Sequence, residues 1–173
     1  MKRVLALALI LVMIFTLAGC GGATVKTGLG VVTSTMKSKD VSAEAEGLAQ
    51  VDTIIAAITV DGSGKILAAD IDSAQTKVNF SAEGKVTTEL GADVPTKTDL
   101  GDNYGMKKNS GIGKEWNEQI AEFEKWLVGK TADQVSGMKV TDGKATEADL
   151  TSKVTITITD YQKAVLEAIQ NAK

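Results

Sequence analysis

The side chains that could do chemistry in this chain are of few kinds. The 173 residues include no histidine and a single cysteine, Cys20. These counts exclude histidine-based catalysis and the imidazole and thiolate sites that hold soft metals. Carboxylates, hydroxyls, lysines and tyrosines remain, and their spacing shows no pairing of a nucleophile with a base. We therefore expect a protein that is not an enzyme and holds no such metal.

Cys20 stands at the end of a segment with a clear targeting pattern. A basic start, Met1-Lys2-Arg3, precedes an apolar run at 4–15 and then Leu17-Ala18-Gly19-Cys20. This order is typical of a secretory signal peptide, and the run is shorter than the roughly 20 residues of a membrane-spanning helix. The last four residues resemble the bacterial lipobox, which implies cleavage before Cys20 and acylation of its thiol. The alternative is an ordinary signal peptide with an unrelated cysteine, and the lack of a disulfide partner disfavours it.

These features divide the chain into a lipoprotein signal peptide (1–19), a flexible tether (20–28) and one domain (29–173). Acyl chains on Cys20 would anchor the domain to the extracytoplasmic face of the cell membrane. Removal of Lys2 and Arg3 takes the net charge from −3 to −5, and no basic patch stands out. Nucleic acid is therefore not an expected partner, and the pattern predicts no particular oligomeric state.

Turn signals and β-branched residues predict strands in the first half of the domain. We expect a strand from Leu29 to about residue 35 and a hairpin over 50–71, with its turn at Asp61-Gly62-Ser63-Gly64. A separate strand is expected at 76–81. Residues 84–110 are long and irregular, which is typical of a functional or disordered segment.

Apolar periodicity predicts helices in the second half. One apolar stripe runs along 114–128, and Gly129 ends that helix. Capping-box spacing predicts a short helix at 131–137 and a last helix from Thr159, which follows a strand at 154–159. The order of elements predicts an α+β domain, a mostly antiparallel sheet with two main helices packed on one face.

Two segments carry a resemblance to a known family. Residues 98–106 read Thr-Asp-Leu-Gly-Asp-Asn-Tyr-Gly-Met, ahead of the helix at 114–128, and residues 152–155 read Ser-Lys-Val-Thr. These segments resemble the FMN-binding domain family, the extracytoplasmic flavin carriers of sodium-pumping quinone reductases and Rnf complexes, and its small lipoprotein relatives. That family has Thr-Pro-Gly-Leu-Gly in the loop and Ser-Gly-Ala-Thr near the end, where the threonine hydroxyl is joined to the FMN phosphate.

The resemblance implies an FMN site between the loop around Tyr104 and the segment around Thr155. The candidate cofactor-binding residues that it implies are Leu100, Gly101, Tyr104, Gly105, Met106, Ser152 and Thr155. Lys153 and Val154 replace the small glycine and alanine of the family, which removes space for a phosphate. Small lipoproteins with a Leu-Gly-Asp-x-Tyr-Gly-Met loop are more similar still.

Both segments also have a purely structural interpretation. The alternating threonines at 155, 157 and 159 suit the exposed face of a strand, and 100–106 suits an ordered surface loop. Tyr104 and Met106 would equally suit contact with a flat ring. Trp116 lies on the apolar stripe and is expected in the core, whereas Trp126 lies off it.

Two functions are therefore expected. The first is a membrane-anchored extracytoplasmic lipoprotein that acts as a small-molecule binding module of FMN-binding-like fold and needs no fixed cofactor. The alternative is an electron-transfer protein that carries FMN near Thr155 and meets a membrane redox partner. In that case the flavin does the electron chemistry and the protein supplies position and electrostatics.

Overall fold

A computed structural model describes residues 24–173 of the chain. The expected signal peptide (1–19), Cys20 and the tether up to residue 23 therefore lie outside the described residues. Those described form a mixed α/β fold with an antiparallel sheet, as expected, whose three strands have the order β1-β2-β3. The strands are β1 (Lys26–Ser34), β2 (Gly47–Val60) and β3 (Ile66–Phe80). The first strand thus begins at Lys26, inside the expected tether, rather than at Leu29.

Helices follow the sheet along the chain. Within residues 24–173 they are α1 (Lys97–Leu100), α2 (Trp116–Leu127), α3 (Ala132–Ser136) and α4 (Thr159–Gln170). Single 3₁₀ turns lie at Gly101–Tyr104 and Lys107–Asn109, and a short hairpin joins β4 (Val140–Thr141) to β5 (Lys144–Ala145). In this described part, no helix is both long and apolar enough to cross a membrane.

Buried and exposed side chains alternate along the strands, so that one face of the sheet is covered and the other is exposed. Ile54 and Ala56 of β2 are buried, whereas Ile55 between them is 41% exposed. The register places Gly30, Ala56 and Ile71 side by side on the covered face. Helix α4 packs on β1 and β2 of this face and α2 packs on β3, so that one core joins the sheet to both long helices.

Glycine brings α4 unusually close to β1. Gly28 and Gly30 are buried, and a Cβ atom on either would collide with the backbone of Ala168 or Ala164. The end of the chain is tied to the same strand, because Asn171 Nδ2 donates to the Leu29 carbonyl at 3.0 Å. The first strand and the last helix therefore pack backbone against backbone.

The expected break between two strands near residue 72 is wrong. β3 runs unbroken over Ile66–Phe80 and pairs along its length with β2. Its middle is polar, and Ser73 and Gln75 there each border a cavity rather than the apolar core. The polar residues interrupt the apolar alternation without interrupting the strand.

The expected strand at 154–159 is also wrong. Its alternation holds, since Val154, Ile156 and Ile158 are buried. The segment does not pair as a strand, because within the described chain it forms only an isolated bridge between Thr157 and Lys144. Residues 154–158 are therefore extended and lie against the core without belonging to a sheet.

One of the two expected capping boxes is confirmed. Thr131 and Gln134 form the expected reciprocal bonds at the start of α3. The box expected at Thr159 is wrong, because α4 begins at Thr159 itself and its N-cap residue, Ile158, makes no side-chain cap. Gln162 instead uses its amide to donate to the Val135 carbonyl at 2.7 Å, which ties α4 to α3.

Candidate functional site

A cavity of about 580 Å³ opens beside the N-terminal end of α4. The end of β1 and the middle parts of β2 and β3 form one side, and the segments around Tyr104 and Thr155 form the others. Its volume falls in the range of about 300–1,000 Å³ that is usual for small-molecule sites. The side chains that give it its chemical character are Asp52, Ser73, Lys97, Tyr104, Trp116 and Tyr161.

Lys97 is the central cation of this cavity. Lys97 is the first residue of α1, and it is only 9% exposed. The ammonium nitrogen lies 5.1 Å from the ring centre of Tyr104 and 5.2 Å from that of Trp116. No carboxylate of the described residues lies within 4.0 Å of it. The aromatic rings therefore take the place that a counter-ion would otherwise hold.

Burial decides the protonation behaviour of Lys97. It lowers the pKa of the Lys97 side chain to about 8, and the positive charge of Lys37 acts in the same direction. The carboxylates of Asp52 and Asp72 oppose this change at longer range. Lys97 is therefore mostly charged at neutral pH but loses its proton more readily than an exposed lysine.

Tyr161 joins three helices at one point of the cavity wall. Its hydroxyl oxygen accepts a hydrogen bond from Trp116 Nε1 at 2.9 Å and one from Lys97 Nζ at 3.4 Å. Burial raises the pKa of Tyr161 to about 12, although the bond from Trp116 lowers it. The phenol thus keeps its proton, and it links α1, α2 and α4.

Asp52 carries the negative charge of the cavity and already has its own partners. Lys37 Nζ lies 2.6 Å from one carboxylate oxygen, and the amides of Gln50 and Gln75 donate to the other at 2.7 and 3.0 Å. Partial burial raises the pKa of Asp52, but these bonds outweigh it and leave the pKa below its ordinary value. Asp52 is therefore a neutralised rim group rather than the counter-ion of Lys97.

A buried carboxylate holds the loop that forms one wall. Glu115 is 2% exposed, and its two oxygens accept hydrogen bonds from the N–H groups of Met106 and Lys107 at 2.8 and 2.9 Å. Tyr104 is fixed from the sheet side, because its hydroxyl donates to Gln75 Oε1 at 3.3 Å. The second part of the segment expected to be irregular is therefore an ordered wall.

The structure brings three of the sequence-predicted candidates together, since Tyr104, Met106 and Thr155 all line the main cavity. Leu100 lines a smaller neighbouring cavity of about 290 Å³, which also touches Lys97 and Tyr104. Gly101, Gly105 and Ser152 lie outside both cavities. The two glycines have φ values of 48° and 74°, which suits residues that shape the loop.

Thr155 is held by α2. Its backbone N–H and its hydroxyl both donate to Gln119 Oε1, at 2.8 and 3.2 Å. Gln119 is fully buried and bonds through its amide nitrogen to Ser110 Oγ at 3.2 Å. The neighbours of Thr155 are also engaged, because Val154 is buried and Lys153 pairs with Glu122 at 3.4 Å.

Sequence reasoning missed the polar centre of the site. Lys97 and Asp52 were not singled out, and Trp116 was expected only in the apolar core. The available signal was the polar group on an otherwise apolar side chain such as Tyr161 or Trp116, because a buried tyrosine hydroxyl or indole N–H needs a hydrogen-bond partner. Lys97 itself gave no local signal, since its burial depends on residues far away in the chain.

No family model, curated protein or solved structure matches the chain. Among the residues that the structure describes, no group of three or more acidic or other ligating side chains could hold a metal ion. The cavity around Lys97 is the feature on which a functional proposal rests.

Proposed function

We propose that this chain is a lipoprotein anchored at the extracytoplasmic face of a membrane, whose domain binds a small molecule in the cavity around Lys97. The proposed fold relationship is to the FMN-binding domain family. The observation that carries the proposal is the cavity of about 580 Å³, in which a buried cation and two aromatic side chains from 97–116 meet the aromatic side chain of Tyr161. A concave, mostly apolar pocket with a few convergent polar groups is the usual form of a small-molecule site.

Variants on one strand can test the binding part of the proposal. Ser34 lines the cavity, whereas Thr33 is exposed on the opposite face of β1. Small molecules released by denaturing protein purified from its producing cells would be identified by mass spectrometry. We expect them to be retained by the wild type and Thr33→Trp but lost from Ser34→Trp. Equal retention by the two variants would place binding outside the cavity and contradict the proposal.

The anchoring part rests on Cys20. Two or three acyl chains give stable membrane attachment, because each buried methylene adds about 0.8 kcal/mol and a single chain is marginal. Metabolic labelling with a fatty acid should tag the wild type and the control Gly22→Ser, and should fail to tag Cys20→Ser. If Cys20→Ser stays labelled and membrane-bound, the anchoring proposal is wrong.

A flavin carrier is the second candidate, and one observation favours it. Tyr104, Met106 and Thr155, which the family resemblance selects, line the same cavity. Its volume and aromatic walls suit a flavin ring, which would supply electron-transfer chemistry when bound. Covalent attachment suits the site less well, because the Thr155 hydroxyl donates to Gln119 and Val154 beside it is buried.

Added FMN tests this second candidate. A flavin carrier should form a yellow complex with FMN that survives desalting in the wild type but not in Ser34→Trp. Intact mass after co-expression with a flavin transferase shows any covalent gain, and Thr155→Ala and Thr157→Ala compare the two hydroxyls at the cavity. A protein that stays colourless under both conditions contradicts the flavin candidate and leaves the binding proposal in place.

A further inference from the structure

The charges around the main cavity are paired, with one exception. Lys37 is paired with Asp52 at 2.6 Å, and Asp160 is paired with Lys163 at 2.8 Å. Lys97 is more deeply buried than any of these, and no carboxylate of the described residues lies within 4.0 Å of it. The cavity therefore holds one cation whose charge the described protein does not neutralise.

A buried cation of this kind favours the binding of an anion. A buried charge without a partner is costly, and contact with two aromatic rings offsets only part of that cost. An anion in the cavity could meet the Lys97 ammonium directly. Tyr161 can serve as a second donor, because it keeps its proton and its hydroxyl lies 3.4 Å from Lys97 Nζ.

The walls around Lys97 favour a flat apolar body on the same ligand. Trp116, Tyr104 and Tyr161 present aromatic surface, and the Met106 side chain lines the same cavity. Aromatic rings favour stacked or edge contacts with other rings, and methionine sulfur contacts ring edges. A single unneutralised ammonium also matches one negative charge better than two.

We propose that the cavity binds an aromatic carboxylate, with the carboxylate at Lys97 and Tyr161 and the ring against Trp116 and Tyr104. This inference rests on the proposed binding function, and it adds the chemical class of the ligand. The carboxylate completes the ion pair that the described chain leaves open, and the ring replaces water along the aromatic wall.

A matched pair of probes separates the charge from the ring. 2-Naphthoate carries the carboxylate, and 2-naphthamide has the same ring with a neutral amide. Isothermal titration of the full chain in detergent at pH 7 should show that naphthoate binds about tenfold or more tightly than the amide, as one charge-assisted hydrogen bond predicts. Inorganic phosphate should not compete, and effective competition by millimolar phosphate would overturn the assignment to an aromatic carboxylate.

Lysine variants identify the side chain that binds the carboxylate of the ligand. Lys97→Met should lose the preference for naphthoate while binding the amide within about twofold of the wild type, which also shows that the variant is folded. Lys97→Arg should keep a preference for naphthoate, and Lys139→Met, which removes an exposed lysine outside the cavity, should behave as the wild type. If Lys97→Met keeps the full preference, the inference is wrong.

The cavity variant keeps the two proposals distinguishable. If Ser34→Trp abolishes binding of both probes but Lys97→Met changes neither, the cavity binds ligands and only the carboxylate assignment fails. If Ser34→Trp leaves both probes bound as in the wild type, the binding proposal itself fails.

The pH dependence of binding gives an independent readout. Naphthoate affinity should fall between pH 7 and pH 9.5 as Lys97 loses its proton, and amide affinity should stay constant. The other charged or titratable groups facing Lys97 are Lys37, Asp52, Asp72, Lys77, Tyr104 and Tyr161. The pKa of Asp52 is lowered, so its charge stays constant across this range, and Lys97→Arg should remove the fall. A pH-independent naphthoate affinity in the wild type contradicts the inference.

Discussion

Lys97 shows how a single residue can oppose the local preferences of its sequence. It stands at the first position of α1, where a helix end carries partial positive charge, and its side chain is almost fully buried. Neither feature favours an ammonium group. A buried residue that lowers the stability of the fold is expected at a functional site, because natural proteins keep such unfavourable residues where function requires them.

The first prediction follows from the lowered pKa of Lys97. Its pKa is about 8 in the folded chain against an ordinary value of 10.5, so the unfolded chain binds more protons between these values. Stability should therefore rise as the pH increases from about 8 to 10.5, and below pH 8 the buried charge should cost roughly 3 kcal/mol. Urea unfolding at pH 7 and pH 10 should show that Lys97→Met is more stable than the wild type at pH 7 and lacks the Lys97-dependent rise. A Lys97→Met profile that runs parallel to those of the wild type and Lys139→Met would contradict this.

At the scale of elements, Glu115 couples the start of α2 to the loop before it. The Glu115→Ala variant removes the acceptor of the Met106 and Lys107 N–H groups. We expect a loss of about 1–3 kcal/mol of stability, because two partly buried donors lose their partner. Hydrogen exchange should become faster at these two amides, whereas Glu167→Ala, which removes an exposed carboxylate of α4, should leave them unchanged. Protection that persists in Glu115→Ala would show that the loop is held by other contacts.

The contact between β1 and α4 gives a second prediction for elements. A methyl group at Gly30 would collide with the backbone of Ala164, so the helix must move away. We expect Gly30→Ala to cost about 2 kcal/mol or more in urea unfolding, as overpacking of a core does. Gly62→Ala is the control, because its Cβ atom would come no closer than 3.7 Å to a neighbour. Equal stability of the two variants would mean that the strand and the helix separate easily.

Strong periodicity made most of these elements predictable from the sequence. The hairpin of β2 and β3, the helix α2 and the cap of α3 follow from local patterns that tertiary contacts do not override. β3 was divided in the prediction because its middle borders a cavity and is polar. The segment at 154–158 has the alternation of a strand, but alternation records burial and not hydrogen-bond pairing.

At the scale of the whole molecule, the site depends on contacts between distant parts of the chain. Asp52, Lys97 and Tyr161 meet in one cavity although long stretches of sequence separate them. The family resemblance of two short segments placed Tyr104, Met106 and Thr155 among the candidates. The charged centre could not be predicted in that way, because only the folded chain decides which lysine is buried and which acid is already paired.

Removal of α4 should therefore abolish the fold as well as the site. A chain that ends at residue 158 loses Tyr161 and the helix that covers Gly28 and Gly30. We expect it to lack a cooperative thermal transition by circular dichroism. A chain that ends at residue 170 loses only the terminal contacts of Asn171 and its neighbours, and it should keep the transition with a loss of about 1 kcal/mol. A cooperative transition in the shorter chain would show that the sheet is stable without its cover.

The meeting of the first strand with the last helix also governs when the domain can form. Lys173 N–H donates to the Thr27 carbonyl at 3.4 Å, so the two ends of the described domain are neighbours. During synthesis, β1 emerges before the other described elements and α4 emerges after them, and the two glycines of β1 stay uncovered until that helix exists. Folding of the described domain is therefore expected only after α4 has been synthesised, which would leave the earlier part of the chain unfolded, as export of the proposed lipoprotein requires.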